Sequence, residues 1–246
     1  RRWNVPRILK KCRRIITVSD FELGNIKQKL QLPDSQLKMI YNGYNEWFRP
    51  IENDKQQYRK YIADAGYFFF LGNTDPKKNT ERTLVAYAKY LELSEVKRPL
   101  LMADLDQEYL NGIIERNGIE AIRDHIVMPG YIINSDLPYI YNNAFAFLYT
   151  SLRESFGIPL LEAMACGTPV ITSNKSSMPE IAGHDAILIN PESSDEIALK
   201  MLQLERDTDF YQRQKAVGLE RAKLFSWRKT TENLLRLYEE VYKEIK

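Results

Sequence analysis

The stretch AFAFLYTSLRESFGIPLLEAMACGTPVITS, residues 144–173, decides the fold. It opens on an apolar run, AFAFLYTS (144–151), and closes on a second, TPVITS (168–173). Continuous apolar runs of this length suit strands buried on both faces. Between them lie a polar turn and a helical pattern that starts at Pro159. Strand, helix, strand is the repeating unit of a parallel sheet. Gly157 and Pro159 mark a tight entry into the helix, with proline at a first-turn position where its missing N–H costs nothing. Glu154 and Glu162, eight positions apart, flank this turn.

Working outward, the same pattern repeats. YFFFLG (67–72), PLLMAD (99–104), HIVMPGY (125–131) and AILIN (186–190) read as further strands. Helical segments are expected near 80–93, 107–116 and 136–142, with a short one at SMPEIAG (177–183). Six strands alternating with helices predict an α/β fold, a Rossmann-like doubly wound six-stranded parallel sheet. In the common order 3-2-1-4-5-6, the first and fourth strands are neighbours whose connections leave to opposite faces, and ligands bind outside their carboxyl ends. The first strand is followed by GNTDPKKN (72–79) and the fourth by the Glu154 turn, so topology brings these two loops together.

A helix start leaves backbone N–H groups unpaired and suits a phosphate. Lys78, from the facing loop, adds a full positive charge. Glu162, one turn into the helix, can accept hydrogen bonds from a vicinal diol such as a ribose, and Glu154 can hold another hydroxyl pair. The reading is a diphosphate between a lysine and a helix end, with sugars on either side: a nucleotide-sugar. The bland readings are a solvated Lys78, a plain surface Glu162, Cys166 filling a small buried site at a helix end, and Glu180 bracing a loop. His125 and His184 are isolated.

Composition is that of a globular chain: 246 residues, 44% hydrophobic, 28% charged, net charge +2. The near-balance argues against a nucleic-acid partner. Two distant cysteines, Cys12 and Cys166, form no disulfide framework or zinc spacing. No metal-ligand cluster is visible, and cations with amides can replace a metal at a diphosphate. No run approaches a membrane span. The first fourteen residues, RRWNVPRILKKCRR, hold seven Arg or Lys and no acid. Val5, Ile8, Leu9, Cys12 and Ile15 recur at helical spacing, and within 1–14 Trp3 joins Val5, Ile8, Leu9 and Cys12 on one side. That segment is expected to pack on another domain, or to meet an anionic membrane. IITVS (15–19) and LKMIYNGY (37–44) read as short strands, the second ending in an Asn-Gly turn, and Ser19 or Asp20 as the cap of the helix between them.

The run ESFGIPLLEAMACGTPVITS, with MPEIAG after it, resembles the E-x7-E signature of retaining glycosyltransferases of the GT-B fold, in particular glycosyltransferase family 4. ITVSDFELGNI with MIYNGYNEWFRP, FLGNTDPKKNTERTL, MPGYIINSDLPYIYNNAFAFLYTS and FSWRKTTENLLRLYEEVY resemble further segments of that family, in order. The resemblance implies that Glu162 holds the donor ribose, and that Glu154 with the amides of Ser155, Phe156, Gly157 and Ile158 holds the donor sugar and phosphate. Lys78 would bind the diphosphate at the Gly72 loop, and Ile132, two past Gly130, would meet the base through its backbone. Glu154 and Lys78 would be the catalytic pair. The family usually has an arginine where Asn73 stands, for which Lys77 can partly compensate.

The implied division is 1–50, the tail of an N-terminal acceptor domain and crossover linker; 51–225, the nucleotide-sugar-binding domain; and 226–246, a C-terminal helix. The chain is expected to be a piece of something longer, inactive alone. Its parent would be a cytoplasmic enzyme, peripheral on the inner membrane face. It would transfer a hexose, mannose from GDP-mannose first and a UDP-hexose second, with retention and without metal, to a glycan or lipid-linked acceptor. The competing reading is a non-catalytic nucleotide- or nucleotide-sugar-binding module of the same ancestry. A dinucleotide oxidoreductase is disfavoured, since the first strand ends in LGNTDPKKN and not G-x-G-x-x-G.

Overall fold

The computed structural model describes residues 4–52 and 56–246, without the side chains of Asn4 and Val5. It begins with a small unit: α1 (Asn4–Leu9), β1 (Ile15–Thr17), α2 (Asp20–Leu30) and β2 (Leu37–Met39), with β1 and β2 paired in parallel. After the linker come β3 (Tyr67–Phe70), α3 (Thr80–Leu93), β4 (Leu100–Met102), α4 (Gln107–Asn117), β5 (Ile126–Val127), α5 (Leu137–Asn143) and β6 (Ala144–Tyr149). Then follow α6 (Ile158–Ala165), β7 (Val170–Ser173), α7 (Met178–Ala182), β8 (Ile187–Ile189), α8 (Ser194–Arg206), α9 (Thr208–Ala222) and α10 (Trp227–Ile245).

The six strands of the main sheet are parallel throughout, in the order β5-β4-β3-β6-β7-β8. This is the expected doubly wound order, and it has a physical cause. Side chains alternate across a strand, and here both alternations are apolar. Tyr67 and Phe69 of β3 join Phe147 and Tyr149 of β6 in a core with α5, α6 and α7. Phe68 and Phe70 join Ala146 and Leu148 in a second core with α3, α4 and α8. A sheet whose centre is apolar on both faces must be covered on both, and α3 and α6 therefore leave β3 and β6 to opposite sides.

Two sequence expectations need correction. The first helix does not run to Ile15: α1 ends at Leu9, Ile15 opens β1, and Ile8 is exposed instead of sharing a buried stripe. Leu9 and Cys12 do pack, against the small core of Ile15, Leu32 and Leu37. Trp3 and the Val5 side chain lie outside the described residues. The run 37–44 is strand only over Leu37–Met39, and Asn42-Gly43 closes no hairpin, because β2 pairs in parallel with β1. Gly43 serves another need: a Cβ there would collide with the backbone of Ser226 and Trp227, where α10 begins. Thr230 of α10 donates from Oγ1 to the Tyr41 carbonyl at 2.7 Å, and Arg14 pairs with Glu244 at the far end of α10.

Among the described residues no helix is long and apolar enough to cross a membrane.

Candidate functional site

The cleft lies at the carboxyl ends of β3 and β6, and four contacts stitch its two loops together. Leu152 N–H donates to the Lys77 carbonyl at 2.7 Å. Asn79 Nδ2 donates to the Thr150 carbonyl at 3.1 Å, and the Thr83 and Thr150 hydroxyls lie 2.6 Å apart. The fourth contact is the ion pair between Lys78 Nζ and Glu154 Oε1, at 2.7 Å. Ser151 Oγ donates to the same carboxylate oxygen at 2.8 Å, and the Lys78 ammonium lies 5.4 Å from the Tyr149 ring centroid. Both charged side chains are largely screened, 19% exposed for Lys78 and 14% for Glu154, so the pair is held and not a solvated surface contact.

The loop from Glu154 into α6 is shaped by Gly157, whose φ of +102° is a conformation that favours glycine. A Cβ there would lie 2.8 Å from Met178 Cε, itself fully buried. Phe156 is buried against Tyr41 and Phe225. The backbone N–H groups of Ser155, Phe156, Gly157 and Ile158 donate to no protein acceptor among the described residues. The Lys78 ammonium and this row of amides are therefore brought to one mouth.

Glu162 sits one turn into α6, largely buried, with Tyr141 Oη 3.4 Å from its Oε2. Burial pushes its carboxyl up to about 7, against the opposing pull of the Tyr141 hydrogen bond. Burial, then the hydrogen bond and charge of Glu180, likewise lift Tyr41 to about 12. Cys166, buried at the end of α6, is raised to about 12 by burial first and the Glu162 charge second, so it is no thiolate nucleophile.

The other expected residues fall as follows. Gly72 is buried, and a Cβ there would run into the Phe70 ring. Asn73 is exposed, but its side-chain oxygen accepts from Asp75 N–H at 2.9 Å and its carbonyl accepts from Thr80 Oγ1 at 2.8 Å; it shapes the loop. The Lys77 ammonium is held by Asp75 at 3.0 Å. Gly130, with φ of +79°, opens the segment after β5, its carbonyl accepting from Asp104 N–H at 3.0 Å. The Ile132 side chain is anchored in the core, beside exposed Tyr131 and Ile133.

Three groups escaped sequence reading. Ser176 and Ser177, before α7, hold the loop backbone: Glu154 N–H donates to Ser176 Oγ at 3.1 Å, and Ser177 Oγ donates to the Glu154 carbonyl at 2.9 Å. From α2, Glu22 accepts from Ser155 Oγ at 3.1 Å and pairs with Arg153 at 3.2 Å. Isolated serines and a helix glutamate carry no periodic signal. Glu180 braces, as one reading had it: its carboxylate accepts from the N–H groups of Asp20 and Phe21 at 2.7 and 3.1 Å, capping α2. No group of residues with metal-ligating character is found among the described residues.

The comparisons agree with this architecture. Residues 51–221 match the family described as glycosyl transferases group 1. The chain is 31% identical to the O-antigen chain mannosyltransferase B of Escherichia coli over 232 residues, 91% of this chain and 60% of that protein. It is 28% identical to the serotype-specific mannosyltransferase WbdA of Escherichia coli, over 88% of this chain and 27% of that one. The chain thus spans under two thirds of the length of each of these relatives. Among solved structures, the sucrose-phosphate synthase of Thermosynechococcus elongatus superposes with a TM-score of 0.83 at 22% identity, covering 97% of this chain and 61% of its own. Anabaena HepE, solved with UDP and glucose, gives 0.82 at 18% identity, covering 96% and 66%. The parallel six-stranded sheet is that of the C-terminal Rossmann-like domain of GT-B glycosyltransferases. The matched segment contains that sheet and both loops of the cleft, and the chain belongs to the glycosyl transferases group 1 family.

Proposed function

We propose that this chain is the donor-binding portion of a family 4 hexosyltransferase that acts with retention on a nucleotide-sugar. The observation that carries the reading is the Lys78–Glu154 pair at 2.7 Å beside the unpartnered amides of 155–158, at the switch point of the sheet. The ammonium and the amides receive the diphosphate, Glu154 the sugar hydroxyls and Glu162 the ribose. The base lies against the backbone at 130–132. Mannose as the transferred hexose is supported by the names of several relatives, and a glycan acceptor by two named for the O-antigen chain; a guanosine diphosphate carrier is part of the proposal. The rival reading, a binding module without turnover, is favoured by one observation: Asn73 is spent on its own loop and supplies no second cation.

Calorimetric titration of the chain with GDP, UDP and their mannose and glucose conjugates tests donor binding. Binding is expected to survive EDTA. Lys78→Ala is expected to weaken diphosphate binding by about 1.5–3 kcal/mol, the range for a hydrogen bond to a charged group. Loss of binding in EDTA, or an unaffected Ala variant, refutes the assignment. For the parent enzyme, an inverted anomeric signal in the product refutes retention, and absence of turnover with donor bound selects the binding module.

A further inference from the structure

The strength of the amide row depends on where its peptides point, and hydroxyl groups settle that. Two successive carbonyls of the loop accept from serine hydroxyls, and a third lies beside one of them. Ser177 Oγ lies 2.9 Å from the Glu154 carbonyl oxygen and 3.4 Å from that of Phe156. Ser19 Oγ donates to the carbonyl between them, Ser155, at 2.7 Å. A trans peptide is planar, so its C=O and the following N–H point to opposite sides, and no cis bond occurs among the described residues. Pinning the carbonyls of 154 and 155 toward the serines therefore turns the N–H groups of 155 and 156 the other way, and the 156 carbonyl, on the same side, leaves the N–H of 157 facing with them. Those N–H groups belong to the row of 155–158 that meets no protein acceptor among the described residues.

The middle hydroxyl comes from elsewhere in the chain. Ser177 belongs to the sheet domain, whereas Ser19 follows β1, outside the matched segment 51–221. Ser19 is fully buried. Its oxygen also accepts from Glu22 N–H at 3.2 Å as the cap of α2, which leaves its hydrogen for Ser155. Its position is fixed from both sides. Glu22 holds Ser155 Oγ and Arg153, and Glu180 of α7 receives the first two N–H groups of α2.

We infer that Ser19 is a positioning residue of the anion cradle: the unit that precedes the sheet domain supplies the hydroxyl that aims the Ser155–Phe156 peptide at a terminal phosphate. The cradle is complete only while α2 is docked against α7 and the donor loop, so phosphate binding and docking of that unit reinforce one another. The inference rests on the reading of the site as a nucleoside diphosphate pocket.

The test separates aiming from stability. Ser19→Gly removes the hydroxyl while keeping a residue tolerated at a helix cap, and Ser19→Thr keeps the hydroxyl. Calorimetry compares GDP with GMP, and UDP with UMP, on wild type and both variants. The expected result is that Ser19→Gly loses about tenfold for the diphosphate, roughly one charge-assisted hydrogen bond, with the monophosphate much less affected. Ser19→Thr restores the preference. An equal loss on both nucleotides overturns the inference, as does an undiminished diphosphate preference. Should Ser19→Gly fail to fold, Glu22→Ala loosens the same docking while Ser19 stays, and is expected to lower the diphosphate preference in the same direction; no change there overturns it too. A wild type that binds none of the four nucleotides fails the pocket reading itself, and the inference falls with it.

Discussion

Glu162 shows how one residue's role is set by its surroundings. In α6 it is one glutamate among apolar neighbours, yet burial lifts its carboxyl to about 7. Its ordinary value, as in the unfolded chain, is 4.5. The native state therefore holds the proton more tightly, and its stabilising contribution is full below that ordinary value and is lost as pH rises through the window up to about 7. At about 1.4 kcal/mol per unit the whole loss is on the order of 3 kcal/mol. Glu162→Gln, which cannot ionise, is expected to match the wild type near pH 4 and to exceed it by about 1–3 kcal/mol at pH 8. Urea denaturation at the two values checks this, and a pH-independent difference would show that Glu162 is ionised in the fold. A group that is costly to bury ionised, in a cleft, is a reasonable place to look for function.

At the scale of the element, glycines separate by what surrounds them. Gly43 lies where the chain passes under the start of α10, and its Cβ would overlap the Ser226–Trp227 backbone. Backbone cannot swing aside as a side-chain tip can, so Gly43→Ala is expected to cost about 1–3 kcal/mol or more and to loosen α10. Gly24 sits in α2, exposed, with nothing within 4 Å of its Cβ position. There alanine only removes the helical penalty of glycine, and Gly24→Ala is expected to stabilise by about 0.5–1 kcal/mol. Opposite shifts in urea midpoint for the two variants are the expected outcome. Equal shifts would mean that α10 does not rest on Gly43.

Across the whole molecule the two sheets differ in self-sufficiency. The six-stranded sheet has an apolar core on each face. The apolar core of the β1–β2 unit is small, formed by Ile15, Leu32 and Leu37 with a few partly buried neighbours. Its order is borrowed through Glu180, Ser155 and the Tyr41–Phe225 contact, with ring centroids 5.3 Å apart. Regions with few buried contacts open at lower free energy than the global transition. Amide exchange in β1 and β2 is thus expected to be at least about tenfold faster than in β3 and β6, and to slow when a nucleoside diphosphate binds. Equal protection in the two sheets would mean that the unit opens only with the whole fold.

The sequence by itself determined the sheet. Uninterrupted apolar runs at 67–72, 144–151 and 168–173 can be buried only on both faces, and the helices between them force parallel crossovers; with the common doubly wound order for six strands, the switch point followed. Lys78 and Glu154 were legible because they lie on the loops that this topology makes adjacent. The small sheet was less legible: strands of three residues carry little period, and the apolar spacing across Ile8, Cys12 and Ile15 imitated one helix where the chain changes from helix to strand. Only the tertiary structure decided which serines hold the donor loop, why Gly43 is glycine, and that α2 reaches the cleft at all. Those facts depend on pairs such as Ser19 with Ser155 and Asp20 with Glu180, more than a hundred residues apart. A lone hydroxyl in a sequence has no period and no charge to announce its partner; its place is set by the packing of everything between.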